Sequence, residues 1–132
     1  MILSLSANER THVRGLRKTT CGKEVLLQLP RKGPLLDGDL LAGEDPFPKV
    51  LVKAALEDLL EISSESQSEL TKAAYHLGNR HVSLEVNAHK LYLLNDTVLA
   101  AMLKSRGLVI NTVRRAFSPE IGAYLPAHSH KN

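Results

Sequence analysis

The stretch from Ser66 to His81 constrains the fold of this chain more than any other part of the sequence. It opens with an S-x-x-E capping box, in which the serine side chain caps the first backbone N–H groups of a helix. Apolar residues then recur at helical spacing, namely Leu70, Ala73, Ala74 and Leu77. Gly78 or Asn79 can take the left-handed conformation that ends such a helix. The sequence therefore predicts a helix over residues 66–78, followed by a histidine, His81, held on a short turn.

The residues around this helix predict a second domain over residues 63–118. Strands are predicted at about 58–62, 82–87, 90–94 and 108–115, and a second helix at 96–106. Asp96 is the expected cap of that helix, and Gly107 is expected to end it. The resulting order, β-α-β-β-α-β, is the ferredoxin-like split-βαβ pattern, an antiparallel sheet with two helices on one face. The fold class predicted for the whole chain is α+β.

Residues 1–62 predict a small all-β domain, either a sandwich or a barrel. Residues 25–29 alternate as a short strand that ends at Pro30, and Gly22 provides a hairpin turn before it. An Asp37-Gly38 turn between apolar pairs predicts a second hairpin. Residues 54–61 have helical propensity, but we expect an extended segment from residue 50 into residue 62. Residues 119–132 contain scattered Pro and Gly and are predicted to be a flexible C-terminal tail.

Composition indicates a soluble cytoplasmic protein. The 132 residues are 43% hydrophobic, and no run approaches the roughly 18 apolar residues that would span a bilayer. The first residues lack the charged and apolar segments of a signal peptide. A single cysteine, Cys21, excludes an internal disulfide and fits a reducing compartment. The net charge of +3 is mild and comes without a basic stripe interleaved with aromatic residues, so nucleic acid is an unlikely partner.

Histidines are the residues most suited to carry chemistry in this chain. There are six, and no C-x-x-C or H-E-x-x-H motif accompanies them, which argues against a structural zinc site. His81 is either a metal ligand or a hydrogen-bonded turn residue, and His76 is more typical of partly packed structure. His128 and His130 form an H-x-H pair on the tail that can wrap a metal ion. A two-fold dimer would double each ligand and could place two His81 side chains across one axis.

Enzymatic motifs are missing from the sequence. Cys21 has no histidine or asparagine nearby in sequence, no G-x-S-x-G elbow is present, and the glycines do not form a phosphate-binding loop. The sequence therefore predicts a protein that is not an enzyme.

Four segments, in order along the chain, resemble one known family. Ala74–His81 contains the G-N-R-H signature, and Phe117–Tyr124 is similar to an F-x-P-E-x-G-A-Y segment. Further matches are Leu29-Pro30-Arg31 with Asp37-Gly38-Asp39, and Thr97-Val98-Leu99 with Met102-Leu103. Together these segments resemble the UreE family of urease accessory proteins, which are nickel metallochaperones.

The resemblance implies a peptide-binding-like N-terminal domain, a ferredoxin-like metal-binding domain and a homodimer. In that dimer His81 of each subunit would bind Ni²⁺, with His128 and His130 completing or feeding the site and His76 as a secondary candidate. The cargo would pass to apo-urease together with other urease accessory proteins, including the GTPase. The general affinity order predicts that Cu²⁺ binds at least as well as Ni²⁺ and that Zn²⁺ competes.

Two alternatives remain from the sequence alone. One is a ferredoxin-like RNA-binding module, although Tyr92 is the only aromatic residue on its predicted sheet that could stack on a base. The other is an accessory scaffold that docks on urease without carrying metal.

Overall fold

The computed structural model describes residues 1–43 and 48–122 of the chain. These residues form a mixed α+β protein with two α-helices and several sheets, in agreement with the predicted class. The chain divides into two compact units, Met1–Ala55 and Leu56–Glu120, and Ile121 and Gly122 group with the first unit. The boundary expected after residue 62 therefore falls inside the second unit, near the end of its first strand.

Five short strands lie in the described part of the first unit, residues 1–43 and 48–55. They are β1 (Ile2–Leu5), β2 (Arg14–Lys18), β3 (Glu24–Gln28), β4 (Leu40–Leu41) and β5 (Val50–Ala54), with a 3-10 turn at Glu9–Thr11. β1 lies parallel to β5, which pairs on its other side with β4 in an antiparallel arrangement. β2 and β3 form a separate antiparallel pair. Alternate residues of β1, β3 and β5 point into one apolar core, to which Val13 and Leu35 also contribute; its members are Leu3, Leu5, Val13, Val25, Leu27, Leu35, Val50 and Val52.

One of the two predicted hairpins is confirmed and the other is wrong. Gly22, with φ of 88°, turns the chain between β2 and β3 as expected. The Asp37-Gly38 turn exists, but its flanking apolar pairs do not form a ladder, because β4 pairs with β5 instead. Asp37 explains the difference, since its Oδ1 accepts a hydrogen bond from Ala54 N at 2.8 Å and ties the turn to β5.

The second unit has the element order expected for residues after about 58. It consists of β6 (Leu56–Ser63), α1 (Gln67–Asn79), β7 (Glu85–Val86), β8 (Leu91–Leu94), α2 (Thr97–Ser105) and β9 (Val109–Ala116). The strands lie in the order β7-β8-β6-β9, and all neighbours are antiparallel. The helical propensity of residues 54–61 is overridden because β6 pairs along its length with β9 and also with β8.

Both helices begin at the predicted capping residues. Ser66 Oγ accepts a hydrogen bond from Glu69 N at 3.2 Å, and Asp96 Oδ1 accepts one from Leu99 N at 2.9 Å. The two helices bury their apolar stripes against one side of the sheet, in a cluster formed by Leu60, Ile62, Leu70, Ala73, Leu77, Leu84, Leu91, Leu93, Leu103 and Leu108. Among the described residues, no helix is long and apolar enough to cross a membrane.

Candidate functional site

Helix α1 does not end in the way that the sequence predicted. It continues through Gly78 to Asn79, and neither of these residues has a positive φ. The residue in the left-handed conformation is His81, with φ of 60°, and it is the one non-glycine residue with positive φ among those that the structure describes. The prediction that Gly78 or Asn79 takes this conformation was therefore wrong.

Two backbone hydrogen bonds hold His81 in place. His81 N donates to the carbonyl of Gly78 at 3.0 Å, and Val82 N donates to the carbonyl of Leu77 at 3.0 Å. This bond pattern is a Schellman motif, in which the left-handed residue follows the C-cap. The Val82 side chain also packs against the core that contains Leu77, which supplies the apolar contact typical of the motif.

The end of α2 shows how unusual a histidine is at this position. There Gly107 is the left-handed residue, with φ of 85°, and the corresponding bonds run from Gly107 N to the carbonyl of Lys104 at 2.9 Å and from Leu108 N to the carbonyl of Leu103 at 3.3 Å. A residue with a Cβ atom loses about 1–2 kcal/mol in this conformation relative to the right-handed one. His81 is exposed at this strained turn, so its imidazole is presented to solvent from a backbone fixed on both sides.

The other histidines of the described chain lie in different settings. His76 is half-buried on α1, and its ring meets Tyr75 edge-on with centroids 5.3 Å apart. His89 is exposed in the turn between β7 and β8, and His12 is exposed in the first unit. Within residues 1–43 and 48–122, no group of three or more His, Cys, Asp or Glu side chains is arranged to hold a metal ion. The tail candidates His128 and His130 lie outside the described residues.

An apolar groove of about 390 Å³ adjoins the His81 turn. Its lining residues come from the segment after the turn and from the β8–α2 connection: Val82, Ser83, Leu94, Asn95, Asp96 and Leu99. Leu94 is 45% exposed, and Val98, next to the groove residue Leu99, is 73% exposed. The second unit therefore exposes apolar side chains to solvent at and beside this groove, which includes the two residues that follow His81.

Tyr92 is unsuited to stack on a nucleotide base. Its side chain is 7% exposed, and its hydroxyl donates a hydrogen bond to Glu61 Oε2 at 3.0 Å. Recognition of single-stranded RNA by a sheet of this kind depends on exposed aromatic rings. The sheet therefore lacks, among the described residues, the feature on which the RNA-binding alternative depended.

Comparison with known proteins gives the family. The model of the UreE urease accessory protein C-terminal domain matches residues 57–132. The urease accessory protein UreE of Synechococcus sp. (strain CC9311) is 53% identical over 130 residues, which cover 98% of this chain and 83% of that protein. The protein of the same name from Parasynechococcus marenigrum (strain WH8102) is 53% identical over 130 residues, covering 98% of this chain and 86% of its own length. This chain belongs to the UreE family. A third UreE, from Prochlorococcus marinus (strain MIT 9312), is 47% identical over 128 residues, or 97% of this chain and 83% of its own.

Membership of the UreE family confirms two of the predictions. The chain is a urease accessory protein, and it is not an enzyme.

The sequence predicted that His81 lies on a turn, but it did not reveal that His81 itself has the strained, left-handed backbone conformation. The signal was present in Val82, because an apolar residue one position after the left-handed residue, paired with Leu77, is the side-chain pattern of a Schellman motif.

Proposed function

We propose that this UreE family member binds Ni²⁺ through His81 of two subunits and delivers the ion to apo-urease. The observation that carries the proposal is the exposed imidazole at a left-handed, doubly hydrogen-bonded turn. A side chain that projects from such a backbone is ready to bind without a large loss of conformational entropy. Urease is proposed as the recipient of the ion because the relatives of this chain are named urease accessory proteins.

A homodimer would supply the metal site with two fixed imidazoles, one from the His81 of each subunit. One chain offers one such imidazole, whereas a two-fold axis passing close to the turn would bring two together. The apolar groove lined by Val82, Leu94 and Leu99 offers a surface for the second copy, since burial of exposed apolar area is the main driving force for association. We therefore place the dimer contact on the groove side of the second unit.

A site of two imidazoles is chemically suited to a cargo ion. Imidazole binds Ni²⁺, Cu²⁺ and Zn²⁺, and a site that the protein does not close leaves positions for water or for a receiving protein's ligands. We expect Cu²⁺ to bind at least as well as Ni²⁺ and Zn²⁺ to compete. Incomplete coordination favours release, which a protein that hands its metal to urease requires.

We also propose His128 and His130 as further ligands, with His76 as a secondary candidate. Glu120 N donates to the carbonyl of Leu84 at 2.7 Å, and Leu84 is three residues from His81. Extended chain covers at most about 3.6 Å per residue, so Glu120 lies within roughly 16 Å of His81, while the eight residues to His128 can span roughly 28 Å. The tail is therefore long enough for its histidines to reach the His81 of their own chain.

The wider assignments follow from the family and from the topology. We infer that the unit Leu56–Glu120 is the ferredoxin-like metal-binding domain, which the strand order β7-β8-β6-β9 supports, and that Met1–Ala55 is the peptide-binding-like domain. Partners would be urease and its other accessory proteins, including the GTPase. The free, exposed thiol of Cys21 is compatible with work in the cytoplasm.

Nickel titration calorimetry on the full chain tests the proposal. We expect about one ion per two chains. We expect His81→Ala to weaken binding by at least tenfold, because the substitution removes the His81 imidazole of both subunits. His89→Ala is the matched control, since His89 is also exposed in a turn of the same unit, and it should bind as the unchanged chain does. Nickel binding that survives in His81→Ala would move the site away from the turn.

Urease activation separates the metal carrier from a scaffold. A protein that only docks on urease would support activation equally well with His81→Ala. A carrier would lose activation in parallel with the loss of nickel affinity.

A further inference from the structure

The hydrogen bonds of the β2–β3 hairpin show which backbone groups of β3 face away from β2. Thr19 N donates to the carbonyl of Lys23 at 2.8 Å, and Leu29 N donates to the carbonyl of Val13 at 3.2 Å. In an antiparallel pair, residues that bond across the ladder alternate with residues whose N–H and C=O point outward. Odd-numbered residues therefore bond across this hairpin. The residues of β3 whose backbone groups point outward are Glu24, Leu26 and Gln28.

The outer edge of β2 is covered, whereas that of β3 is open. The guanidinium of Arg17 donates to the carbonyls of Leu16 at 2.8 Å and Arg14 at 3.3 Å, both on the outer edge of β2. β3 pairs with β2 alone, and within residues 1–43 and 48–122 no group outside the hairpin bonds to the backbone of Leu26 or Gln28. Natural proteins usually protect a strand edge of this kind, so an open one indicates a place where another strand can pair.

An apolar groove of about 270 Å³ runs along the open edge of β3. It is lined by residues 25–29 of consecutive sequence, together with residues 41–43 and Val50. Neighbouring side chains of a strand point to opposite faces, so the edge of the strand is what these five residues share. Every lining residue except Gln28 is apolar or glycine, and Leu26 is 61% exposed. The groove therefore offers apolar contacts beside unpaired main-chain donors and acceptors.

Positive charge collects at the C-terminal end of β3. Arg31 and Lys32 follow the strand and are exposed, and Arg14 lies there too, because its Nε donates to the carbonyl of Leu29 at 3.2 Å. None of these three cations is in an ion pair with a carboxylate of the described chain. Glu24 lies at the opposite end of the strand. A ligand with negative charge at one end is therefore favoured over a neutral or basic one.

We propose that the open edge of β3 is a docking site for an extended segment of a partner protein, apolar at alternate positions and acidic at the end beside Arg31 and Lys32. The segment adds a strand to the hairpin, so that main-chain hydrogen bonds provide affinity and the side chains in the groove provide specificity. This inference rests on the proposed function, since it gives the unit Met1–Ala55, assigned there as peptide-binding-like, a site and a class of ligand. It requires no nickel.

A labelled synthetic peptide tests the site on the full chain by fluorescence anisotropy. The peptide alternates valine with threonine, residues suited to a strand, and ends in two aspartates. We expect it to bind, and we expect a peptide with lysines in place of the aspartates to bind about fivefold more weakly or less at low salt. The absence of binding by the aspartate peptide up to about 1 mM would overturn the proposal.

N-methylated peptides test whether the ligand pairs as a strand. Methyl groups on alternate amides remove the main-chain donors along one edge of the peptide. Methylation of one alternate set should weaken binding by about tenfold, because those amides bond to β3, and methylation of the other set should change it by less than about twofold. Equal effects of the two sets would contradict strand addition.

Leu26→Glu removes an apolar contact of the groove, and Leu16→Glu is its matched control. Leu16 and Leu26 lie opposite each other in the ladder and are 58% and 61% exposed, but only Leu26 lines the groove. Leu26→Glu should weaken binding of the aspartate peptide by about tenfold or more, because it places a carboxylate against the apolar side chains of the ligand. Leu16→Glu should leave it unchanged, and an equal loss in both would contradict docking at the edge.

Gln28→Pro removes one main-chain donor from the open edge. Proline is tolerated on an edge strand where the N–H is not used by the sheet, so the hairpin should still form. Binding should weaken by about fivefold relative to Gln28→Ala, which loses the same side chain but keeps the N–H. Equal affinity of the two variants would contradict a main-chain bond at this residue. If Gln28→Pro does not fold, the methylated peptides still decide whether main-chain pairing occurs.

Arg31→Glu together with Lys32→Glu tests the charged end of the site. The double variant should prefer the lysine peptide over the aspartate peptide, the reverse of the unchanged chain. An unaltered preference would show that the acidic end of the ligand does not lie beside these two cations.

Nickel titration and light scattering of Leu26→Glu separate this inference from the nickel proposal. Loss of peptide binding with nickel affinity and oligomeric state unchanged is the expected result. If no variant affects peptide binding while nickel binding depends on His81, the inference fails and the proposed metal site stands. If Leu26→Glu changes the oligomeric state, a second copy occupies the edge and the partner segment is excluded.

Discussion

His81 occupies a backbone conformation that a side chain makes unfavourable. The two Schellman hydrogen bonds from His81 N and Val82 N compensate for that strain, as does the packing of Val82 against the core. Strain of this kind persists where the surroundings determine the conformation, and it is common at functional sites. The imidazole at this position is consistent with selection for binding rather than for stability.

Exchange of the left-handed residues tests this view. His81→Gly should raise the free energy of unfolding by up to about 1 kcal/mol, because glycine adopts positive φ without a Cβ clash. Gly107→Ala, at the equivalent position of α2, should lower it by about 1 kcal/mol or more for the opposite reason. Chemical denaturation of both variants measures the two changes. A destabilised His81→Gly would show that the side chain of His81 stabilises the apo-protein.

The sequence predicts the helix caps correctly but not the residue that takes the left-handed conformation after α1. Helical spacing and the caps at Ser66 and Asp96 are local patterns, and the structure has them where they were expected. The left-handed histidine was missed because glycine is the usual residue in that conformation, and Gly78 lay close by. Gly78 instead stays helical with open space around its Cα, so nothing within the described chain requires a glycine there.

Among the elements of the second unit, β6 and β8 are linked by a polar group on the sheet face. Glu61 on β6 accepts from the Tyr92 hydroxyl on β8 at 3.0 Å and pairs with Lys90 at 3.3 Å. Partial burial opposes ionisation of Glu61, but hydrogen bonds from Tyr92 and Lys90 outweigh it, so the pKa of the carboxyl is lowered. Burial of Tyr92, reinforced by Glu61, raises the pKa of the phenol.

This link predicts a dependence of stability on pH. A carboxyl whose pKa is lower in the folded state stabilises it fully above the unfolded-state pKa, about 4.3, and the contribution is lost as the pH falls through the folded-state pKa. Glu61→Gln should therefore lower the free energy of unfolding by about 1 kcal/mol at pH 7. The difference from the unchanged chain should shrink steadily below pH 4. Denaturation curves at a series of pH values measure it, and a difference that is constant with pH would contradict the assignment.

Pairings between distant elements were the part of the fold that the sequence could not supply. The order of elements after residue 56 follows from local patterns, but the parallel pairing of β1 with β5 joins segments that no turn connects. The same is true of Glu85 and Arg115, which lie far apart in the sequence and meet because β7 and β9 are brought into one sheet unit. Local propensity carries no information on such contacts.

For the whole molecule, the groove beside the His81 turn is the surface through which we propose that two copies associate. Leu94→Glu should give monomers in size-exclusion chromatography and light scattering, because a carboxylate would be buried against the second copy at a free-energy cost of several kcal/mol. The side chain of Leu94 is 45% exposed, so the single chain should fold with this change. Nickel affinity should fall together with dimerisation.

Leu26→Glu is the control for this surface. Leu26 is 61% exposed in the first unit, and its substitution should leave both dimer and nickel affinity unchanged. A Leu94→Glu protein that remains dimeric would exclude the groove as the contact between copies.

The parallel pairing of β1 with β5 also determines when each unit can form during synthesis. Ile2 lies opposite Leu51 and Leu5 opposite Ala54, so β1 has no sheet partner until about fifty residues have left the ribosome. Closing so long a loop must precede the bonds between β1 and β5, whereas β4, which also pairs with β5, lies close to it in the sequence. β5 is the last strand of the first unit, and β6 follows it at Leu56. The strands of the first unit can therefore assemble before the sheet of the second, whose central strand β6 gains its second neighbour only when β9 has been made.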